Sequence, residues 1–306
     1  MTPLKLFMDH WVIVNLLENP SFAAPKDRII SLCNNGFCVL VLTIWYVHEA
    51  LRDGNKVRAK DLCAKIEALS KQVPCLWIRL RTELQEDEVA EAFYRSMGVV
   101  YQKGNPFREE AVAIFPNHEK LPDIENARRE GLLWFFRNPH LFGEALSEQG
   151  KYPAVKTELK AAVQTTVGRK GLLNEARKQY VEKLLPSRSP GGLVIADESK
   201  REFIQQMDIT KFRALTFEAG LSEATTADAK ARPTEQDLVD LQHAVSVVPY
   251  VDVAVLDGKF CKYAATVKKN WKSAEPLAEC FDNVAAALDW IEKEAAINLG
   301  RPLSSH

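Results

Sequence analysis

Residues 235–257 read EQDLVDLQHAVSVVPYVDVAVLD. The first half predicts a short helix, and Pro249-Tyr250 predicts the turn that follows it. The run Val251–Leu256 is rich in β-branched residues and has the length of a strand, so we expect a buried strand with Asp257 at its end. If the other strands run parallel to this one, Asp257 lies where sites of α/β proteins form, at the carboxyl ends of strands.

Polar residues share one face of the predicted helix. Asp237, Asp240 and His243 are spaced by three positions, so their side chains line up along the helix surface. Aspartates also occur on solvated helix faces and at turns without any catalytic role. A functional interpretation therefore requires acids from elsewhere in the chain at the same edge of the sheet.

Length and composition limit the class of protein. The 306 residues suffice for one large domain or two modest ones, and 46% of them are hydrophobic. A formal net charge of −1 argues against a purely electrostatic nucleic-acid binder but permits a local basic groove. The six cysteines form no C-x-x-C pair and no export signal is evident, so we expect reduced thiols and a cytoplasmic location. The longest apolar run, Phe37–Val47, is too short to span a bilayer.

Two acids near the amino terminus follow predicted strands. The apolar run Leu4–Met8 ends on Asp9, which is the N-cap of the next helix, a ligand at the strand end, or both. Phe37–Ile44 predicts a second buried strand, and the helical segment after it carries Glu49 among apolar neighbours. Glu49 is either a surface acid or a site carboxylate, and the adjacent His48 is interpreted as a packing or surface residue.

Most of the remaining chain predicts helices. A basic amphipathic helix is expected over Lys56–Lys71, with an apolar stripe formed by Val57, Leu62, Ile66 and Leu69. A third strand is expected over Val73–Leu80. Between residues 86 and 230 the candidate helices are Asp87–Met97, Pro122–Phe136, Ala154–Leu185 and Glu198–Ala219. Ser222–Arg232 predicts a loop, and a final helix is expected over Asn283–Glu294 with Asp282 as its cap.

The acids resemble the pattern of the PIN-domain nucleases, a family that includes many toxins of bacterial toxin–antitoxin pairs. The matching residues are Asp9 after the first strand, Glu49 about forty residues later, Asp240 on the late helix and Asp257 after the following strand. Asp237 competes with Asp240 for the helix position, and Asp240 is preferred because its distance to Asp257 fits the family better.

The resemblance covers about residues 1–80 and 232–295 and is closest to a larger bacterial subgroup. It departs from the family at His10 and Trp11, where many relatives have small polar residues. It implies an α/β protein with a PIN-like three-layer fold, a central parallel sheet and a large helical insertion. Residues 1–85 and 232–306 would form the PIN-like domain, and residues 86–231 the helical insertion.

The resemblance also implies a reaction and a cofactor. The expected activity is that of a metal-dependent endoribonuclease that hydrolyses phosphodiester bonds, as a toxin or defence nuclease. Mg²⁺ or Mn²⁺ is the implied cofactor, because hard cations bind carboxylate oxygens and activate water. The implied ligands and catalytic acids are Asp9, Glu49, Asp240 and Asp257, with Asp237 as the competitor for Asp240.

The expected substrate is RNA, ahead of single-stranded DNA, and an inhibitor or antitoxin protein is a further implied partner. No membrane partner is expected, and the oligomeric state stays open. Phosphate contacts are expected from Lys259, Lys262, Arg58 and Lys60, with Lys268-Lys269 as further candidates. The alternative is a catalytically inactive PIN-like module for protein or nucleic-acid binding. The chain has no G-x-G-x-x-G, Walker or G-x-S-x-G sequence, which argues against a nucleotide-binding enzyme or a serine hydrolase.

Overall fold

A computed structural model describes residues 2–52, 54–114, 119, 123–142, 151, 153–154, 156–158, 169–187, 190, 192, 194–228 and 232–298. Within these residues helices surround a six-stranded sheet with the order β4-β3-β2-β1-β5-β6. The strands are β1 Leu4–Met8, β2 Cys38–Leu42, β3 Cys75–Ile78, β4 Phe107–Arg108, β5 Val253–Val255 and β6 Glu279–Phe281. The predicted α/β class is confirmed, whereas the PIN-like three-layer arrangement and the division into domains stay predictions.

The first strand is central in the sheet. It pairs in parallel with β2 on one side and with β5 on the other, in the register Leu6 to Val253 and Met8 to Val255. The prediction that the late strand joins the sheet of Leu4–Met8 is therefore confirmed. Every neighbouring pair is parallel except β3 and β4, so the ends of β1, β2 and β5 lie at one edge. This edge carries the candidate site.

The helices before residue 140 are α1 His10–Glu18, α2 Ala23–Asn34, α3 Trp45–Arg52, α4 Lys56–Gln72, α5 Arg81–Ser96, α6 Ile124–Glu130 and α7 Leu132–Arg137. The later helices are α8 Arg169–Leu184, α9 Asp197–Gln206, α10 Arg213–Ala227, α11 Glu235–Val247, α12 Gly258–Lys269 and α13 Val284–Asn298. Helix α2 packs against α13, while α10 packs against both α11 and α12. In the described part of the chain, no helix has the length and apolar character that crossing a membrane requires.

One large hydrophobic cluster joins the sheet to the helices around it, and a smaller one joins α5 to α8, α9 and α10. Every residue of β2 is buried, as expected for a parallel strand with apolar residues on both faces. The core therefore fixes the strand ends and the first turns of the helices that follow them.

The bounds of two predicted helices and of one predicted loop were wrong. The predicted helix Glu198–Ala219 is two helices, since the backbone is extended at Met207, directly after α9, and α10 begins only at Arg213. Pro122–Phe136 divides at Gly131, whose φ of 52° favours glycine. The expected loop Ser222–Arg232 is helical to Ala227, and residues 229–231 lie outside the described residues.

Other corrections concern single residues. Val57 is 82% exposed rather than part of the apolar stripe of α4, because its five-residue offset from Leu62 rotates it by about 140°. Asn283, not Asp282, caps α13, since its Oδ1 accepts the backbone N–H of Ala286 at 3.2 Å. Strand β4 was not predicted; it lies in the stretch that was expected to be mostly helical, and it pairs with β3. Residues 159–168 of the predicted helix Ala154–Leu185 lie outside the described part of the chain.

Candidate metal centre

Asp9 lies at the carboxyl end of the central strand. Its backbone N–H donates to the carbonyl oxygen of Val255 at 2.9 Å, which ties it to the neighbouring strand β5. Its Oδ1 accepts the backbone N–H of His10 at 2.8 Å, so Asp9 is the N-cap of α1. The residue is only 5% exposed. The capping interpretation is thus correct, and the same carboxylate is also buried at the strand edge.

Glu49 reaches the same place from helix α3. The phenolic hydroxyl of Tyr46 donates to the carbonyl oxygen of Met8 at 2.5 Å, which fastens α3 to the end of β1. Glu49 follows Tyr46 on the same face and is 7% exposed, so it is not a surface acid. His48 is buried as well, and burial lowers its pKa to about 4, in keeping with the packing interpretation.

His243 on α11 completes this group. Its Nδ1 lies 3.0 Å from Asp9 Oδ1, and its Nε2 lies 3.8 Å from Glu49 Oε2. One ligand atom from each of the three residues lies within 4.8 Å of the others, and all three residues are buried. The described residues therefore contain a buried group, Asp9, Glu49 and His243, that could hold a metal ion. The sequence interpretation left His243 outside the ligand set, although its spacing from Asp240 had placed it on the acidic face.

The imidazole of His243 is held in position by aromatic neighbours. The rings of Phe7 and Tyr46 meet it edge-on, with centroids 6.0 and 6.2 Å away. Burial lowers the pKa of His243, but the hydrogen bond to Asp9 and the charges of Glu49, Asp9 and Asp240 outweigh burial and raise it. A positive charge at this ring is favoured because three carboxylates surround it.

Two buried polar atoms of this group face each other without a hydrogen bond. Neither Glu49 Oε2 nor His243 Nε2 has a hydrogen-bond partner among the described residues. His10 Nδ1 lies 3.8 Å from Glu49 Oε2, so a second imidazole borders the same oxygen. Buried polar groups left unpaired cost free energy, and a cation or proton shared between them removes that cost. Carboxylate oxygens with imidazole nitrogens are a suitable donor set for a divalent transition metal.

Asp240 joins the group through the side chain of Gln236. The Gln236 Nε2 donates to Glu49 Oε1 at 2.9 Å and to Asp240 Oδ1 at 2.6 Å. Burial raises the pKa of Asp240 to about 8, with further contributions from the charges of Asp9 and Asp257, against the Gln236 hydrogen bond. The sequence contained no indication of the Gln236 contact, because it depends on how α3 and α11 pack.

The other two predicted aspartates have capping roles. Asp237 forms a capping box with Thr234, whose backbone N–H donates to Asp237 Oδ2 at 2.8 Å, and it also pairs with Lys259. Asp257 is half-buried and caps α12 by accepting the backbone N–H of Phe260 at 2.7 Å. The charge of Asp257 acts on Asp240, so it lies at the same end of the sheet.

The predicted phosphate-binding residues differ in their contacts. Arg58 pairs with Glu18 at 3.0 Å, Lys259 with Asp237, and Lys268 with Glu279. Lys60 and Lys262 are exposed, and none of the described residues forms an ion pair with them. Lys262 belongs to α12, which begins directly after Asp257.

Comparisons with protein-family models, curated proteins and solved structures found no match to this chain. By its fold and its site, the chain is an α/β protein with a mostly parallel six-stranded sheet and a buried acid–histidine group at the strand ends.

Proposed function

We propose that this protein is a metal-dependent phosphodiesterase that cleaves RNA, as the resemblance to PIN-domain nucleases implies. The observation that carries the proposal is the buried group of Asp9, Glu49 and His243, in which Glu49 Oε2 and His243 Nε2 face each other at 3.8 Å. Like-charged carboxylates that converge in a buried place need a cation to offset their repulsion.

Asp9 orients the imidazole in this proposal. When a carboxylate accepts a hydrogen bond from one ring N–H of a histidine, it orients the ring so that the other nitrogen can bind a metal ion. With His243 Nδ1 directed at Asp9 Oδ1, Nε2 is directed at Glu49 Oε2. When bound, the ion would act as a Lewis acid and would activate water for attack on phosphorus. We expect Mn²⁺ to be preferred over Mg²⁺, because Mg²⁺ favours oxygen ligands and this group supplies a nitrogen.

Basic residues beside the group would hold the polyanion. Lys262 is the best placed of the predicted lysines, because it is exposed on the helix that Asp257 caps. Lys259 is engaged by Asp237 and is the weaker candidate. A near-neutral protein must concentrate positive charge locally to bind RNA beside carboxylates, and these lysines would supply it.

A second function is supported by the charge at His243. Because the pKa of His243 is raised, a protonated ring can offset Asp9 and Glu49 without any metal ion. In that case the chain would be an inactive interaction or nucleic-acid-binding module. Metal binding separates the two functions, since a site neutralised by a proton binds Mn²⁺ weakly at every pH below the pKa of the ring.

The test is cleavage of a mixed pool of RNA and single-stranded DNA with Mn²⁺, with Mg²⁺ or with EDTA. We expect RNA cleavage with Mn²⁺, slower cleavage with Mg²⁺ and none with EDTA. Asp9→Asn should abolish it, whereas Asp289→Asn, an exposed acid paired with Arg28, should not. Cleavage that persists in EDTA or in Asp9→Asn would refute the metal-dependent reaction, and no cleavage together with no Mn²⁺ binding would support the inactive module.

A further inference from the structure

The Gln236 side chain occupies the space between two carboxylates of the candidate site. Its amide nitrogen lies 2.9 Å from Glu49 Oε1 and 2.6 Å from Asp240 Oδ1, one hydrogen for each oxygen. Its amide oxygen accepts from the guanidinium of Arg52 at the end of α3. Gln236 thus bridges α3 and α11 across the acids.

Glu49 has a different neighbour on each of its two oxygens. Oε2 faces His243 Nε2 and has no hydrogen-bond partner among the described residues, whereas Oε1 accepts from Gln236. A carboxylate with its oxygens directed to two sides is suited to bridge two cations. Pairs of metal ions about 4 Å apart are common in enzymes that cleave phosphodiesters.

We propose that Gln236 is a gate for a second divalent cation, whose position lies between Glu49 Oε1 and Asp240 Oδ1. The gate rests on the proposed function, because it needs a first cation at Asp9, Glu49 and His243. While the amide of Gln236 donates to both carboxylates, the site binds a single cation. Rotation of the Gln236 side chain frees both oxygens for the second.

The gate can move without disturbing the helix that carries it. Gln236 is half-buried in the first turn of α11, and its outer partner Arg52 is exposed, so water competes for that contact. The turn itself is held by the Thr234 and Asp237 capping box, which does not involve Gln236. Only the side-chain torsions of Gln236 need to change.

The charges around the gate favour a second cation. Asp9 and Glu49 belong to the candidate metal group, and Gln236 links Glu49 to Asp240, so three buried acids lie at this edge of the sheet. A single divalent ion leaves part of this negative charge unbalanced. The amide of Gln236 supplies hydrogen bonds to Glu49 and Asp240 but no net charge. Replacing it with a cation would therefore lower the electrostatic free energy of the site.

The experiment measures Mn²⁺ binding to the full chain by isothermal titration calorimetry, with the spin coupling of Mn²⁺ pairs followed by electron paramagnetic resonance. Wild type should bind one Mn²⁺ tightly and a second weakly. Gln236→Ala should tighten the second by about tenfold or more, because charge-assisted hydrogen bonds no longer compete. It should also show the coupling of a Mn²⁺ pair at lower metal concentration. Gln72→Ala, an exposed glutamine at the end of α4, is the matched control and should behave as wild type.

Two further variants test the direction of the effect. Arg52→Ala removes the outer partner of the gate and should tighten the second Mn²⁺ more modestly than Gln236→Ala. Gln236→Ala combined with Asp240→Asn should lose the second Mn²⁺ again while it retains the first. Second-site affinity within twofold of wild type in Gln236→Ala, or a weaker first site in that variant, would overturn the gate while the proposed function stands. Absence of Mn²⁺ binding in wild type would refute the proposed function, and the gate with it.

Discussion

His243 Nδ1 lies 3.0 Å from Asp9 Oδ1, although 234 positions separate the two residues. The contact joins the helix that precedes β5 to the end of β1, so it forms only when the two ends of the chain share one sheet. Because Nδ1 faces Asp9, the ring presents Nε2 to Glu49. This is the arrangement in which a carboxylate orients a metal-binding imidazole.

The first prediction concerns His243 as a ligand. His243→Ala should weaken Mn²⁺ binding by about 100-fold or more, since it removes the nitrogen donor and leaves Asp9 without its partner. His140→Ala, at an exposed position, is the control and should bind Mn²⁺ as wild type does. Calorimetric titration measures both. Unchanged affinity in His243→Ala would show that the imidazole only packs between Phe7 and Tyr46.

The second prediction separates Asp240 from its competitor Asp237. Asp240→Asn should lower RNA cleavage by about a hundredfold without loss of stability, because it disturbs the position of Glu49 and the gate. Asp237→Ala should instead cost about 1 kcal/mol of stability through loss of the capping box, with cleavage within about twofold of wild type. Thermal unfolding and cleavage rates of the two variants check this. The opposite pattern would make Asp237 the site residue.

Much of the sheet and of the strand-end acids could be predicted, because both depend on local sequence. Leu4–Met8 and Val251–Leu256 are apolar runs of strand length, and an acid follows each of them. Parallel pairing then requires the two ends to lie at one edge. The sequence did not decide whether Glu49 is a surface acid or a site carboxylate. A lone acid among apolar residues does not show whether its side of the helix is directed to solvent or to the sheet.

The remaining parts of the site depend on contacts between distant segments. His243 lies on the predicted acidic face, yet only the packing of α11 against β1 brings its ring to Asp9. Gln236 reaches Glu49 from a position 187 residues away, which no local pattern indicates. The start of α5 was also missed, since the buried polar residues Glu83 and Gln85 interrupt its apolar periodicity.

The third prediction is a pH dependence of stability in EDTA. A carboxyl group with a raised pKa binds its proton more tightly in the folded protein. The stabilisation from Asp240 is therefore complete below its ordinary pKa of 3.8 and is lost as the pH rises to about 8. The Asp240→Asn variant has no such loss. The Tm of this variant minus the Tm of wild type should therefore be at least ~4 °C larger at pH 9 than at pH 5. Differential scanning calorimetry at the two pH values checks this, and an equal difference at both would show that Asp240 ionises freely.

The last prediction concerns the binding of RNA by lysines of α12. In an Asp9→Asn background with EDTA, Lys262→Ala should weaken binding of single-stranded RNA and reduce the slope of log K against log salt by about 0.7, the loss of one phosphate contact. The reason is that Lys262 is exposed on the helix that Asp257 caps and is unpaired among the described residues. Lys259→Ala should have a smaller effect, because Asp237 already neutralises that lysine. Lys293→Ala, on the exposed face of α13, is the control. Equal affinity and equal salt slope for Lys262→Ala and Lys293→Ala would show that RNA does not cross α12.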